Sequence, residues 1–372
     1  MITIVEASNP KLLKEFVKFP FSLYKNHPYW VPPLINDELE TFDTSKNPAF
    51  ATAEATFYLA YKEGSVVGRI AAIINWNEVN DQDKKKVRFG WWDVIDDLEV
   101  TKALLEKVYE LGKANQLEYV EGPMGFSNLD KVGVLTEGFD EIGSMITWYN
   151  FPYYKDHLEQ LGYHKEKEYL ENRFPFANVK TEFFVKANDL IKKRYGLESL
   201  NFTNNKDIMP YVDKMFDLFN ASYASLSSFV AITEKQKEYF KKKYISFINP
   251  EYIKFIVDNQ NNMVAFSIVM PSFSEALQKA NGKLFPFGFY HLLKAKKESK
   301  DVLFYLIGVD PEYQSKGVTA MIFNEYYKVF KEKNIQNCIR TPELEDNHAI
   351  HNMWKHFDPT TFRRRRTYRK EL

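Results

Sequence analysis

The chain has 372 residues, of which 45% are hydrophobic and 27% are charged, and this composition excludes a disordered chain or a fibre. At roughly 150 residues per domain, the length predicts two domains. Fifty basic residues balance fifty acidic ones, so no global field draws the protein to nucleic acid or anionic lipid, and such a partner must be met locally.

The first half of the chain predicts an order of elements that the second half repeats. A hairpin at 57–75, with its turn at Glu63-Gly64, is followed by a strand at 87–95, an amphipathic helix from Thr101 and a strand at 118–124. In the second half, a hairpin at 252–271 is followed by a strand at 301–309, a helix from about Gly317 and a strand at 336–342. We therefore expect an α/β fold of two domains in tandem, each a mixed, twisted sheet flanked by helices.

Pro175 marks a boundary between the repeats, which predicts domains at 1–175 and 176–372. Residues 272–297 have no counterpart in the first half. They predict two helices around Asn281-Gly282 and Pro286, and insertions of this size tend to be lids or contact elements.

The segment VDPEYQSKGVTA, residues 309–320, carries the strongest chemical signal. Asp310-Pro311 ends a strand, and the following turn presents unpaired N–H groups at the start of a helix. Such a turn favours phosphate, since the helix dipole attracts an anion, Gly317 allows close approach and Lys316 adds a positive charge. The alternative is an ordinary strand-to-helix turn.

At this turn the sequence resembles the GNAT superfamily of acyl-CoA-dependent N-acyltransferases, whose pyrophosphate loop reads Q/R-x-x-G-x-G/A. Gln314 and Gly317 match that pattern, and Thr319 replaces its last small residue. Downstream, EDNHAIHNMWKHF resembles the family's fourth helix, with Asn347 beside the pantetheine arm and Trp354 where many members have tyrosine. The resemblance implies acetyl-CoA or a longer acyl-CoA as a substrate, bound by Ile307, Val309, Gln314, Ser315, Lys316, Gly317, Val318, Thr319, Asn347 and Trp354. For Asn347, an N-cap is an equally good interpretation.

The resemblance also implies that backbone N–H groups at 307–309 polarise the thioester carbonyl. Gly308 would favour a bulge that opens the strand at 301–309 from its neighbour. Glu343 and Glu345 are the candidates for a base, acting directly or through water. Because an indole is a poor acid, Trp354 cannot protonate the leaving thiolate, so another group serves or none is needed.

The first half departs from this pattern, because acidic residues stand where its phosphate loop would lie. Asp93, Asp96, Asp97 and Glu99 predict repulsion of a pyrophosphate, and hence a GNAT-like domain without a CoA site. The segments WVPPL (30–34) and GPMGFSNLDKVGVLTEGF (122–139) resemble a bacterial tandem-GNAT family. The second is a candidate for a loop facing the acceptor.

The leading hypothesis is an acyl-CoA-dependent N-acyltransferase that acts on a small-molecule or peptide amine. One alternative is a non-catalytic CoA- or acyl-binding module, which the tryptophan at 354 favours. The other is a Fem-like transferase that uses aminoacyl-tRNA, for which the basic segment FRRRRTYRK (362–370) is the motive. A solvated basic strand is the simpler interpretation of that segment.

Other features of the composition exclude several classes of protein. A single cysteine, Cys338, and seven scattered histidines offer no disulfide and no zinc pattern, so we expect no metal. No apolar run reaches the ~18 residues of a transmembrane helix, and the N-terminus resembles no signal peptide, which favours the cytoplasm and no membrane partner. Phe, Tyr and Trp make up 16% of the chain, a surplus that fits either thick cores or a groove for an apolar ligand.

Overall fold

In the computed structural model, every residue is described except 128, 180, 225, 227, 228 and 246. The chain forms two compact units. Unit 1 consists of Met1–Leu170, Phe273–Leu292 and Phe362–Leu372, and unit 2 of Glu171–Ser272 and Leu293–Thr361. The units are therefore not the contiguous domains 1–175 and 176–372 that the sequence predicts, because most of the insertion and the last strand belong to unit 1.

The strands of the described chain are β1 Ile2–Glu6, β2 Ala53–Lys62, β3 Ser65–Asn75, β4 Lys86–Val94, β5 Tyr119–Gly122, β6 Val134–Glu137, β7 His164–Pro175, β8 Glu198–Leu200, β9 Ile253–Val257, β10 Met263–Pro271, β11 Asp301–Val309, β12 Asn337–Arg340, β13 Glu343–Leu344 and β14 Thr360–Glu371. The α-helices are α1 Pro10–Leu23, α2 Ile35–Thr41, α3 Trp76–Asp81, α4 Leu98–Ala114, α5 Tyr153–Gln160, α6 Thr181–Tyr195, α7 Asn205–Tyr223, α8 Glu234–Phe240, α9 Ser274–Ala280, α10 Gly288–Glu298, α11 Thr319–Lys333 and α12 His348–Trp354. None of the helices in this part of the chain is long and apolar enough to cross a membrane.

Unit 1 is built on a mixed sheet in which β1 to β4 are antiparallel neighbours, β5 is parallel to β4, and β14 is antiparallel to β5. The β2–β3 hairpin turns at Glu63 and Gly64, with φ of 53° and 77°, which are the left-handed conformations of a tight hairpin turn. Helix α4 covers one face of the sheet with the buried side chains of Leu104 and Val108, as expected of the predicted amphipathic helix. The predicted hairpin, strand, helix and strand are all confirmed here.

Helix α9 of the insertion packs within unit 1. The amide of Gln278 donates to the carbonyls of Pro28 and Trp30 at 2.7 and 3.0 Å, and Ser274 Oγ donates to the Gly143 carbonyl at 2.7 Å. Trp30 is buried and its ring stacks on that of Tyr24, with centroids 5.4 Å apart. The WVPPL segment thus closes an edge of the core and anchors the insertion.

Unit 2 repeats the plan with a sheet in the order β8, β9, β10, β11, β12 and the end of β7, in which only the β11–β12 pair is parallel. Helix α11 buries Met321, Ile322 and Phe330 against this sheet. Cys338 lies in the same core and is buried, with no disulfide. The mixed α/β class, with helices flanking each sheet, is confirmed.

The sequence led us to expect a solvated basic segment in β14, but two of its arginine side chains are buried. Arg363 and Arg365 are buried, and Arg365 Nη1 donates to the Trp148 carbonyl at 2.6 Å. Arg366 Nε donates to Glu168 Oε2 at 2.9 Å. Strand β14 is hydrogen-bonded to β5 on one edge and to β7 on the other. Alternate side chains are therefore directed into unit 1, where the arginines form hydrogen bonds and ion pairs.

Candidate functional site

Strand β11 leaves its parallel partner β12 well before it ends. The β11–β12 pairing runs from Asp301 to Phe304, whereas the pairing with β10 continues to Val309. The Asp310 N–H donates to the Val264 carbonyl of β10 at 2.8 Å. In an antiparallel pair, successive residues direct their N–H groups alternately towards and away from the partner strand. The N–H groups of Ile307 and Val309 therefore face away from β10, on the side where β12 no longer pairs. We call this opening, lined by residues 305–309, the β11 splay.

Gly308 lies in the splay, but it does not form the bulge that the sequence predicts. The register break lies between Ile268 and Val269 of β10, opposite Tyr305, and Gly308 pairs regularly with Phe266. Glycine is required for another reason: a Cβ at position 308 would lie 2.3 Å from Phe266 Cε1 and 2.7 Å from Ser222 Oγ. The predicted bulge at Gly308 was therefore wrong. Gly308 instead allows Phe266 and Ser222 to pack closely against the backbone of β11.

Tyr223, the last residue of α7, contacts the splay directly. Its hydroxyl donates to the Ile307 carbonyl at 3.0 Å, and burial raises its pKa to about 12. Sequence reasoning missed this residue, because a tyrosine at the end of an amphipathic helix looks like any core aromatic. Tyr223 places a neutral hydroxyl donor on the same side of β11 as the Ile307 and Val309 amides.

The turn before α11 presents unsatisfied backbone donors, as the sequence predicts. Helix α11 begins at Thr319, and Val318 at its N-cap position has no side-chain cap. The N–H groups of Ser315, Gly317, Val318 and Thr319 donate to no acceptor in the described part of the chain. Uncapped amides at a helix N-terminus favour an anion, so these residues fit a pyrophosphate.

The backbone conformation of this turn also suits an anion. Ser315 and Gly317, on either side of Lys316, have φ of 63° and 78°. Left-handed residues within such a turn direct successive N–H groups into one concavity. A Cβ at Gly317 would lie 3.1 Å from Ile191 Cδ1, so both the conformation and the packing require glycine there.

Lys316 and Gln314 both have exposed side chains in this turn, as does Ser315 between them. Lys316 Nζ lies 4.5 Å from the ring centroid of Tyr313 and 5.5 Å from that of Tyr195, so two aromatic rings hold the ammonium beside the loop. Gln314 Nε2 lies 3.5 Å from the Val309 carbonyl, at the limit of a hydrogen bond. Both side chains are available to a ligand.

Asn347 caps helix α12. Its Oδ1 accepts a hydrogen bond from the Ile350 N–H at 3.2 Å, which confirms the N-cap interpretation. Its contact with a pantetheine arm stays a prediction.

The resemblance places Trp354 at the cofactor site, and in the structure its side chain is buried. It is 1% exposed, and its ring centroid lies 4.9 Å from that of Phe304 and 5.0 Å from that of Phe323. The last turn of α12 directs the indole into the core of unit 2, and its contact with a bound CoA stays a prediction.

Glu343 is a poor candidate for the base. Its carboxylate forms an ion pair with the guanidinium of Arg340, which is 2% exposed. Protonation of Glu343 would leave the Arg340 charge buried and unpaired, which is costly. Glu345 is exposed, and its role as a base stays a prediction.

The corresponding helix of unit 1 is capped by one of the predicted acidic residues. Asp97 accepts from the N–H groups of Glu99 and Val100 at 3.0 and 3.4 Å and pairs with Lys62 Nζ at 2.8 Å. Asp93 is buried in an ion pair with Arg69. A carboxylate already occupies the helix N-terminus, which is a more specific obstacle to pyrophosphate than the repulsion expected from sequence.

In unit 1, the strands β4 and β5 correspond to β11 and β12, but the chain itself occupies the position of the opening between them. After β5 the chain continues along β4, where the Met124 N–H donates to the Phe89 carbonyl at 2.8 Å. A Cβ at Gly90 would lie 2.3 Å from the Met124 carbonyl oxygen. The first part of the 122–139 segment, predicted to face the acceptor, is packed against β4 instead; residue 128 lies outside the described residues.

A small cavity of about 10 Å³ in unit 2, room for about one water molecule, lies along α11 and is lined by aromatic side chains that include Tyr326 and Phe330. It is therefore distinct from the loop at the helix N-terminus. No group of three or more His, Cys, Asp or Glu side chains able to hold a metal is present among the described residues.

Comparisons with known proteins identify sequence relatives and solved structures with a similar fold. No family model matches the chain. The chain is 28% identical over 371 residues to Protein YghO of Escherichia coli K12, covering 98% of this chain and 94% of that protein. It is 24% identical over 382 residues to the bacterial ceramide synthase of Caulobacter vibrioides, covering 100% and 98%.

Two solved structures resemble the whole chain. A tandem GNAT protein from the clavulanic acid biosynthesis pathway has a TM-score of 0.58 at 12% identity, with 100% of this chain and 98% of that chain covered. The GCN5-related glucosamine N-acetyltransferase region of a fungal multi-domain β-N-acetylglucosaminidase has a TM-score of 0.57 at 9% identity, with 100% and 38% covered. The chain therefore has the tandem GNAT fold.

Proposed function

We propose that unit 2 binds an acyl-CoA and transfers its acyl group to a primary amine, and that unit 1 binds no CoA. The observation that carries the proposal is the contrast between the two helices that follow β11 and β4. Four amides at the start of α11 have no acceptor in the described chain, whereas Asp97 caps α4. The tandem GNAT fold supports the same assignment.

The loop at 314–319 binds the pyrophosphate of the acyl-CoA, with Lys316 as the counter-charge. The pantetheine arm enters the β11 splay, and the N–H groups of Ile307 and Val309 polarise the thioester carbonyl. The neutral amine attacks that carbon, so a C–N bond forms and the C–S bond breaks. CoA leaves as a thiolate, and the ammonium proton passes to water or to Glu345.

We further propose that the acceptor is a long-chain amino alcohol and the donor a long-chain acyl-CoA. Ceramide, the product in the name of the Caulobacter relative, is the amide of such an alcohol with a fatty acid, and the two chains match over their full length.

The test is an activity panel with the purified chain, in which release of the CoA thiol and mass of the amide are both measured. Acetyl-CoA and palmitoyl-CoA serve as donors, and sphinganine, glucosamine and a lysine peptide as acceptors. The proposal predicts N-palmitoyl-sphinganine and little product from the polar amines. Product from acetyl-CoA and glucosamine alone would remove the long-chain assignment and keep the acyltransferase, whereas CoA binding without thiol release would favour the non-catalytic alternative.

A further inference from the structure

Unit 1 exposes four aromatic rings within six residues. Phe285, Phe287, Phe289 and Tyr290 are 75%, 70%, 44% and 57% exposed. Elsewhere in unit 1, phenylalanines such as Phe16 and Phe89 are fully buried, so the chain does not expose aromatic rings indiscriminately. A cluster of exposed apolar rings on one short segment marks a contact surface. We call residues 283–290 the aromatic loop.

The aromatic loop is held in a defined shape. The Phe289 N–H donates to the Leu284 carbonyl at 2.7 Å, and a Cβ at Gly288 would lie 1.9 Å from the Lys283 carbonyl oxygen. The rings of Phe285 and Phe289 pack together with centroids 5.7 Å apart. The Gly282 carbonyl accepts from the Ile35 N–H at 3.0 Å, which fixes the start of the loop. A surface that is already ordered loses little entropy when it binds.

The segment that carries this loop is basic between Glu275 and Glu298. Residues 276–297 contain five lysines and a histidine but no acidic residue, in a chain whose 50 basic and 50 acidic residues balance. Lys279 and Lys283, on the two sides of the α9 end, are exposed. Lys279 Nζ lies 3.8 Å from Glu275, a weak and exposed pairing that leaves its charge available.

We propose that the aromatic loop binds the surface of an anionic phospholipid bilayer. Aromatic rings favour the headgroup region of a membrane, where their apolar bodies leave water, and lysines beside them are attracted to anionic headgroups. Contact is peripheral, through the loop and its flanking lysines. This inference departs from the expectation of no membrane partner, and it stands independently of the proposed acyl transfer.

A second copy of the chain is a poorer occupant of this surface. In a two-fold symmetric contact the same patch faces itself, so the lysines of one copy would face those of the other. Like charges in such a contact are repulsive, whereas an anionic bilayer complements them.

The experiment is co-sedimentation of the full chain with vesicles of phosphatidylcholine, with and without phosphatidylglycerol. We expect binding to the anionic vesicles, weakened by added salt. The double variant Phe285→Ser, Phe287→Ser should bind about tenfold more weakly, because two exposed rings no longer enter the interface. Since both rings are exposed, the variant should keep the circular dichroism spectrum and melting temperature of the parent chain.

The matched control is Phe183→Ser, Leu190→Ser on α6, where the two side chains are 53% and 65% exposed. It should bind as the parent chain does. Equal loss in both double variants would show adsorption without a site and overturn the proposal. So would absence of binding to either vesicle, or concentration-dependent dimerisation that the loop variant abolishes. Because the readout is vesicle binding, its failure leaves the CoA assignment intact.

Discussion

The Tyr223 hydroxyl donates a hydrogen bond to the Ile307 carbonyl over 3.0 Å, where β11 no longer pairs with β12. This bond ties the end of α7 to the strand whose amides face the splay. Burial raises the pKa of Tyr223 to about 12, so the hydroxyl stays protonated and keeps donating at neutral pH. In the proposed reaction, Tyr223 is a positioning residue that acts through the Ile307 peptide.

Replacement of Tyr223 by phenylalanine should lower kcat by about tenfold and change the Kd for CoA by less than about twofold, because one buried hydrogen bond near the reacting carbonyl is lost. The pH profile of kcat should keep its shape, since Tyr223 does not titrate near neutrality. Steady-state kinetics and calorimetry measure the two effects.

The control for this variant is Tyr326→Phe. The Tyr326 hydroxyl also donates to a backbone carbonyl, that of Tyr252, at 2.9 Å in the core of unit 2. It should leave kcat unchanged in the fraction that folds. If both variants lost the same activity, the role of Tyr223 would be general stability.

Glu78 is the centre of a buried charge cluster in unit 1. Its carboxylate lies 3.1 Å from Lys86 Nζ and 2.6 Å from Arg88 Nη2, and all three side chains are at most 3% exposed. Glu78→Gln should lower the free energy of unfolding by about 3 kcal/mol, since the buried Arg88 guanidinium loses its carboxylate partner and Lys86 is left with that of Glu121. Denaturant unfolding measures this. Glu110→Gln, which removes an exposed pair with Lys107, should cost less than about 1 kcal/mol.

The same cluster predicts sensitivity to acid. Burial alone would raise the pKa of Glu78, but Arg88 and Lys86 outweigh it and lower that pKa from 4.5 to about 2. A carboxyl whose pKa is depressed on folding stabilises the protein above its unfolded pKa, and that stability is lost as pH falls towards the folded pKa. The parent chain should therefore lose up to about 3 kcal/mol more than Glu78→Gln between these two values. Parallel curves for the two proteins would contradict this.

The chain should show no salt-sensitive binding of tRNA. The basic segment at 362–370 suggested the Fem-like alternative. In the structure, however, Arg363 and Arg365 are buried and Arg366 forms an ion pair with Glu168. Arginines used inside unit 1 cannot also neutralise phosphates. Electrophoretic mobility shifts at low and high salt measure this. A complex that forms at low salt and dissociates steeply as salt rises would restore the tRNA alternative.

The repeated element order and the uncapped turn before α11 were predictable because both depend on local signals. Apolar periodicity marks the strands and helices, and Gln314, Lys316 and Gly317 lie within one turn of chain. Tyr223 and Ile307 are far apart in sequence, and their contact depends on how α7 packs against β11. No local pattern reports such a pairing.

The differences between expectation and structure have the same origin. Trp354 matches a motif position, yet the last turn of α12 directs its indole into the core. Arg363 and Arg365 look like a solvated run until strand pairing on both edges of β14 decides which faces are buried. Composition alone did not show whether the surplus of aromatic residues fills the cores or forms a binding surface. The structure separates the buried rings from exposed ones such as Phe285 and Phe287.

Calorimetric titration of CoA tests the central claim most directly, with Gly317→Asp and Gly64→Asp as matched variants. Both glycines have a left-handed φ, 78° and 77°, so the backbone strain is alike, but only Gly317 lies in the proposed phosphate loop, whereas Gly64 lies in the β2–β3 turn of unit 1. We expect one CoA per parent chain, unchanged binding by Gly64→Asp, and binding by Gly317→Asp weakened at least about a hundredfold, because a carboxylate meets the pyrophosphate. Two sites per chain, or equal affinity of all three proteins, would contradict the assignment of a single CoA loop to unit 2.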